Sequence, residues 1–361
     1  MIVTFPHMGN VYIGAKVLME GLGVDIVIPP PSSDKTLEIG STYSTEFICA
    51  PLKINIGNYI ESIKKGADTV LITGSNGPCR FGFYGVIEQE ILRDMGYDVE
   101  FIIFEAPEGD VGELIRRIQK ATKTRNIGRI AKQIIKAQRA IITADRLERD
   151  MLNIEAREVK KGSIRMLRKI YKDEVEKVKG EKELMNLIKN TYNEMTKVQI
   201  NKDHIPLKIG LIGEIYTLIE PYINFHVEEK LANLGVEVHR SLYIGDWLSE
   251  HLVYRPMGLT KEVKIRKAAK PYLDRCIGGH AWETIGYAAH YCQSGYDGII
   301  QLLPFGCMPE IVAESILPTI QRDYNIPLMT LVLDELTGDT GYLTRLEAFV
   351  DMIERKRERR K

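Results

Sequence analysis

Three cysteines, Cys49, Cys79 and Cys307, carry the strongest chemical signal in this sequence. Cys79 lies in the glycine-rich stretch Gly74–Tyr84, between a strand-like apolar run and a segment with helical spacing. A proline follows two residues after each of the other two cysteines. Proline suits the first turn of a helix, because the N–H that it lacks is not needed there. The spacing therefore predicts that all three cysteines stand at the N-termini of helices.

The N-terminus of a helix favours a thiolate, because it carries partial positive charge and unpaired N–H groups. Three thiolates in such positions can hold an iron–sulfur cluster and leave one iron open to a substrate oxygen. The wide spacing of the three cysteines differs from the compact cysteine runs of ferredoxins and zinc ribbons. The alternative interpretation is that these cysteines are small buried hydrophobic side chains. Cys276 fits either an extra ligand or a core residue, whereas Cys292, in a helical run, is expected in the core.

Four further side chains are candidates for contacts around such a site. Lys53 lies one helical turn after the first of these cysteines and Arg80 adjoins the second, so both cations can offset the negative charge of a cluster. Glu214 and Tyr216 follow a buried strand, at the edge where parallel sheets bind ligands. A solvated lysine and ordinary structural hydrogen bonds are the alternative interpretations of these residues.

The composition narrows the class of protein. The chain has 361 residues, 44% of them hydrophobic, with 49 basic and 49 acidic side chains. Zero net charge argues against a general nucleic-acid or anionic-membrane surface. Met1–Phe5 reads as a strand rather than a secretory leader, and no apolar run approaches the ~20 residues of a spanning helix. We therefore expect a cytoplasmic protein that binds neither nucleic acid nor membrane. It carries no P-loop motif of its own.

Strand-like and helical segments alternate in both the first and the last part of the chain. The predicted strands are Ile2–Phe5, Val24–Pro29, Thr69–Thr73, Val99–Phe104, Lys208–Ile212, Val236–Leu242, Gly298–Leu303 and Leu328–Leu333. Such alternation predicts parallel sheets covered by helices. The three prolines and the polar residues over 29–34 predict a loop.

The predicted fold class is α/β, with two Rossmann-like parallel-sheet domains facing each other across a cleft and a helical insertion. The domains are 1–109, a mainly helical segment over 110–205 and a second α/β domain over 206–361. The helical segment is rich in Lys, Arg and Glu, and we expect most of its charges on solvated faces. In this arrangement Cys49 and Cys79 lie opposite Cys307.

The sequence resembles the 2-hydroxyacyl-CoA dehydratase family, in particular its cluster-bearing component. The matching stretches span nearly the whole chain in family order and are Cys49–Glu61, Thr73–Tyr84, Gly213–Tyr216, Pro304–Glu310 and Thr344–Ile353. The resemblance is greatest to a smaller branch related to the dehydratase activators. The chain is shorter than the dehydratases, so we expect a reduced acyl-CoA pocket or none.

The resemblance implies an oxygen-sensitive [4Fe–4S] cluster held by Cys49, Cys79 and Cys307, with Cys276 as a candidate extra ligand. It also implies electron delivery by an ATP-dependent iron–sulfur activator protein, a homo- or heterodimer, and one-electron chemistry that ends in loss of water, as in a lyase. It identifies no catalytic residue.

Three alternatives stay open at this point. The first is a reductase of small molecules with a double-cubane [8Fe–9S] cluster. The second is a non-catalytic accessory in electron transfer or cluster handling. The third is a metal-free α/β binding protein.

Overall fold

The computed structural model describes residues 1–74, 79–105, 111–250, 254 and 262–359. They form two compact units, Met1–Ile141 with Lys179–Leu184, and Ile142–Val178 with Met185–Lys361. Each unit contains one all-parallel sheet. The predicted α/β class with two Rossmann-like sheets and a helical segment is therefore confirmed. The cleft and the three-part division stay predictions, and the predicted boundary at 109–110 lies outside the described residues.

The sheet of the first unit has three strands in the order β1 (Val3–Thr4), β2 (Thr69–Thr73) and β3 (Glu100–Phe104). Its helices are α1 (Val11–Leu22), α2 (Asp34–Tyr43), α3 (Ala50–Ile63), α4 (Tyr84–Asp94) and α5 (Val111–Thr122). Leu71 of β2 packs in a core with α1 and α5, whereas Val70 and Ile72 pack with α3 and α4. Because both faces are covered, β2 is a nearly continuous apolar run, which is why its bounds match the prediction.

Two predictions in this unit are wrong in detail. The predicted strand Val24–Pro29 contributes a single bridge, between Ile26 and Val3, instead of a full strand. The predicted loop over 29–34 already contains the start of α2. Ser33 caps that helix, because its Oγ accepts from the N–H of Thr36 while its own N–H donates to the Thr36 hydroxyl.

Helices α2 and α3 pack with their backbones in close contact. A Cβ atom added at Gly40 of α2 would lie 1.6 Å from the carbonyl oxygen of Lys53, and one added at Gly57 of α3 would lie 2.0 Å from that of Thr36. A backbone carbonyl cannot yield as a flexible side chain can. Glycine is therefore required at this crossing.

Gly40→Ala is expected to lower the free energy of unfolding by about 2 kcal/mol, because overpacking outweighs the better helix propensity of alanine. The matched control is Gly128→Ala in the helix that follows α5, where the nearest atom is a side-chain oxygen 3.5 Å away. This control should be neutral or stabilising by up to about 1 kcal/mol. Urea unfolding of both variants checks the prediction, and equal midpoints would contradict it.

The helical segment comprises α6 (Ile127–Glu155), α7 (Ser163–Val175) and α8 (Gly180–Met195). Many of its charged side chains are exposed, whereas Glu155, Glu158 and Arg168 are buried and so are exceptions to the predicted solvated faces. The guanidinium of Arg168 pairs with Glu155 and, at 3.0 Å, with Glu229. The carboxylate of Glu158 accepts from two backbone N–H groups at the start of α7. Burial of these charges is tolerated because each has a partner of opposite charge or a hydrogen-bond donor.

The sheet of the second unit has four strands in the order β5 (Glu237–Arg240), β4 (Lys208–Gly213), β6 (Gly298–Pro304) and β7 (Leu328–Leu333). Its helices are α9 (Ile215–Ile219), α10 (Val227–Asn233), α11 (Ile244–Ser249), α12 (Glu262–Ala269), α13 (Ala281–Gln293), α14 (Met308–Tyr324) and α15 (Asp339–Glu358). β6 is buried along its whole length because it lies between β4 and β7. The bounds predicted for β7 agree with the structure.

Candidate functional site

The strand order of the second sheet reverses between β4 and β6. The chain moves from β4 outward to β5 and then returns to the other side of β4 to form β6. In open parallel sheets, ligands bind beyond the carboxyl ends of the strands where the order reverses in this way. Glu214 follows β4 and Cys307 follows β6, so both stand at this edge.

The first sheet repeats the same order. The chain moves from β1 outward to the bridge at Ile26 and then returns to the other side of β1 to form β2. Cys79 comes after β2, as Cys307 comes after β6, although residues 75–78 lie outside the described residues. Cys79 and Cys307 therefore occupy equivalent places in the two units.

Each of the three cysteines is the N-cap residue of a helical segment, as predicted. Cys49 precedes α3 and Cys307 precedes α14, and each helix has a proline in its first turn. Cys79 precedes a 3-10 turn, Arg80–Phe83, that leads directly into α4. All three have extended backbone angles, and their side chains do not cap the helices. The sulfur atoms thus lie where helix termini favour negative charge.

Two hydrogen bonds join the Cys49 loop to the Cys79 turn within the first unit. Arg80 donates from Nη1 to the carbonyl oxygen of Phe47 at 2.9 Å. The Cys49 Sγ and the Tyr84 hydroxyl oxygen are the partners of the other. Cys49 is 9% exposed and Tyr84 is 2% exposed, so this second contact is buried. The two cysteine segments are therefore held against each other by contacts of their immediate neighbours.

Lys53 is buried, with 2% of its side chain exposed, so the alternative of a solvated lysine is wrong. Its Nζ reaches back over the first turn of α3 and donates to the carbonyl oxygen of Glu46 at 3.1 Å. Arg80 is exposed but contacts the next residue of the same loop. Two cationic side chains thus bind the loop immediately before Cys49. Their positive charge is of the sign that a thiolate or an anionic cluster requires.

Glu214 is held at the end of β4 by its own hydrogen bonds. Its carboxylate accepts from the N–H of Thr217 at 3.0 Å, and burial raises its pKa despite this bond. Gly213 precedes it with φ of 138°, and a Cβ there would lie 1.9 Å from the carbonyl oxygen of Leu302, so only glycine fits. Tyr216 is buried in the first turn of α9. Glu214 therefore has a capping role that is compatible with a place beside a ligand.

Another carboxyl of the second unit, Glu310, lies in the first turn of α14 and is fully buried. It accepts from the Thr284 hydroxyl at 2.9 Å and from the Gln301 amide at 3.0 Å. Burial raises its pKa to about 7, and the negative charge of Glu214 adds to this increase. A carboxyl group that gains or loses a proton near neutral pH thus lies one helical turn from Cys307.

The remaining two cysteines lie in the second unit. Cys292 is half-buried in α13 and packs against the apolar core, as predicted. Burial raises the pKa of its thiol to about 12, so it remains protonated and is a poor metal ligand. Cys276 is an exposed thiol between α12 and α13. Nothing in its surroundings assigns it a role. Because it is exposed, the interpretation of Cys276 as a core residue is wrong.

The donor set fits an iron–sulfur cluster in chemical type, because thiolates are its usual ligands. Within the part of the chain that the structure describes, no three His, Cys, Asp or Glu side chains stand close enough to hold a single metal ion. The ligands of a four-iron cluster bind different irons and so stand farther apart than the ligands of one ion. Since Cys49 and Cys79 belong to one unit and Cys307 to the other, the three-cysteine site stays a prediction.

No protein-family model matches this chain, and no curated protein matches it in sequence. The resemblance to the dehydratase family therefore stays a prediction that rests on its motifs. Among the described helices, none combines the length and the apolar character that crossing a bilayer requires.

Three residues near the site were not predicted from the sequence. Tyr84 contacts Cys49, Glu310 lies one turn from Cys307, and Glu88 is a fully buried carboxyl in α4. The Cys-x-x-Glu spacing at 307–310 resembles a capping motif and was the only local signal for any of them. The contacts of Tyr84 and Glu88 join α3 to α4, more than 25 residues apart, so only the folded chain reveals them.

Proposed function

We propose that this chain is an iron–sulfur protein of the 2-hydroxyacyl-CoA dehydratase type, with a [4Fe–4S] cluster on Cys49, Cys79 and Cys307. The observation that carries the proposal is the equivalent placement of Cys79 and Cys307. Each follows the strand beside the topological switch point of its sheet, and each is an N-cap residue. Cys49 is likewise an N-cap residue, and its segment is bound to the Cys79 turn.

The surrounding residues support this proposal through their charge. A reduced cluster with thiolate ligands is anionic, and the cations Lys53 and Arg80 bind the loop that precedes Cys49. In the second unit, Glu310, whose pKa burial raises to about 7, lies in the first turn of the helix that Cys307 precedes. The chain thus provides positive charge at one ligand segment and a titratable carboxyl at another.

When bound, such a cluster supplies a one-electron donor and an iron that can bind a substrate oxygen. The matching stretches favour an acyl-CoA or another small molecule as the substrate, and an ATP-dependent iron–sulfur activator as the electron source. The lack of a P-loop motif in this chain is in keeping with a separate ATPase.

Anaerobic reconstitution with iron and sulfide tests the proposal. The expected result is about four irons and four sulfides per chain, with an EPR signal from the dithionite-reduced protein. About eight irons would favour the double-cubane reductase instead. Failure to retain iron or sulfide under strictly anaerobic conditions would refute both and leave the metal-free binding protein. A reducible cluster without turnover of any 2-hydroxyacyl-CoA would favour the electron-transfer accessory.

A further inference from the structure

The buried contact between Cys49 and Tyr84 gives the first cysteine a hydrogen-bonding partner of defined position. The Cys49 Sγ and the Tyr84 hydroxyl oxygen are hydrogen-bonding partners, and Tyr84 is the first residue of α4. Its ring lies against Phe81 with ring centroids 5.2 Å apart, inside the core that also contains Leu52 and Ile56 of α3. Since this packing fixes the ring, the hydroxyl group has little freedom to turn away from the sulfur.

The direction of the hydrogen bond follows from the chemistry of the sulfur. A neutral thiol can donate or accept, but a thiolate that binds iron has no proton and can only accept. The Tyr84 hydroxyl must then be the donor. A donor aimed at an anionic sulfur stabilises negative charge, and it does so more strongly in a buried environment than in water.

We propose that Tyr84 is a positioning residue that donates a hydrogen bond to the Cys49 sulfur and thereby raises the reduction potential of the cluster. This inference rests on the proposed function. Reduction adds negative charge to the cluster and its ligands, so a donor to a ligand sulfur favours the reduced state. The cation Lys53 lies on the same helix as Cys49 and binds the preceding loop, whereas Tyr84 contacts the sulfur itself.

Tyr84→Phe removes the donor and keeps the ring, so the core remains filled. The expected result is an about tenfold decrease in the equilibrium constant for one-electron reduction, which lowers the midpoint potential by about 59 mV. The measurement is an EPR-monitored redox titration of the reconstituted protein. Iron content should stay at the wild-type level, because all three sulfur ligands remain.

Tyr59→Phe is the matched control. Tyr59 is a fully buried tyrosine of α3 in the same core, but its hydroxyl donates to Glu88 instead of a cysteine. Its removal should leave the midpoint potential unchanged. Equal shifts in the two variants would show an effect of packing and overturn the proposal, as would an unchanged potential in Tyr84→Phe.

A measurement on the iron-free protein separates this inference from the proposed function. The S–H stretching band of Cys49, isolated as wild type minus Cys49→Ser, should shift in Tyr84→Phe and not in Tyr59→Phe. An unshifted S–H band, together with tyrosine hydroxyl bands that Cys49→Ala leaves unchanged, would overturn the Tyr84 contact whether or not a cluster forms. A shifted band in a protein that never binds iron would instead refute the proposed function alone. A cluster whose midpoint potential is the same in Tyr84→Phe as in the wild type would refute this inference alone.

Discussion

Serine at any one of Cys49, Cys79 or Cys307 is expected to remove most of the iron from the reconstituted protein. A serine hydroxyl is a far weaker acid than a thiol and does not replace the soft thiolate that iron–sulfur clusters require. With one of three protein ligands lost, iron should fall from about four per chain to below about one, and the EPR signal should vanish. Iron and sulfide assays after anaerobic desalting measure this loss.

Cys292→Ser is the matched control, because burial keeps this thiol protonated and away from metal chemistry. It should retain wild-type iron. Cys276→Ser tests the candidate extra ligand, and a partial loss of iron there would assign it that role. Wild-type iron in all three of the first variants would contradict the cluster. Loss in Cys49→Ser and Cys79→Ser with none in Cys307→Ser would place the metal within the first unit alone.

Glu88→Gln is expected to remove a large pH dependence of stability. Glu88 is fully buried in α4, with hydrogen bonds from the Asn55 amide at 2.9 Å and the Tyr59 hydroxyl at 3.1 Å. Burial raises its pKa from 4.5 to about 8, against the effect of both hydrogen bonds. The folded protein therefore holds a proton at neutral pH that the unfolded chain has already released.

The sign of the effect follows from this difference in bound protons. The stabilisation by neutral Glu88 is complete below pH 4.5 and is lost as the pH rises towards 8. The free energy of unfolding should fall by about 1.4 kcal/mol per pH unit within this window. Glutamine stays neutral and keeps the acceptor oxygen. The stability of the variant relative to wild type should therefore improve by roughly 2–3 kcal/mol between pH 6 and pH 8.

Urea unfolding at several pH values measures this change. Glu310 and Glu228 also have pKa values raised to about 7, so the wild-type slope alone would not isolate Glu88. The difference between variant and wild type does isolate it. Glu38→Gln, at an exposed position of α2, is the control and should keep the wild-type pH dependence. If Glu88→Gln kept that dependence too, Glu88 would have to be ionised in the folded protein.

The sequence predicted those parts of the fold that depend on residues close together in the chain. β2 and β7 were predicted to the residue, because apolar runs between polar turns admit few alternative bounds. The N-cap positions of Cys49 and Cys307 were predicted because a proline marks the first turn of each helix. By contrast, α2 was missed, since the prolines over 29–31 obscured the capping residue Ser33 immediately after them.

The polar contacts of the site depend on the folded chain and could not be predicted. Lys53 was equally compatible with a solvated side chain, and only the folded chain shows that it is buried and donates to the carbonyl oxygen of Glu46. The contact of Tyr84 with Cys49 and the burial of Glu88 and Glu310 require helices that are distant in sequence. Residue type and spacing indicated which cysteines to consider, but not the groups that surround them.

Each sheet has one short edge, whereas β3 and β7 form the longer opposite edges, and a short edge limits how the protein can associate wrongly at that side. Among the described residues, the short edge of the first sheet consists of the bridge at Ile26 beside the two-residue β1, and that of the second is the four-residue β5, rich in ionic side chains. A strand from another copy would find few unsatisfied peptide groups to pair with at these margins. We therefore expect the concentrated protein to resist fibrillar aggregation by strand addition there, an advantage for the long anaerobic handling that the experiments above demand.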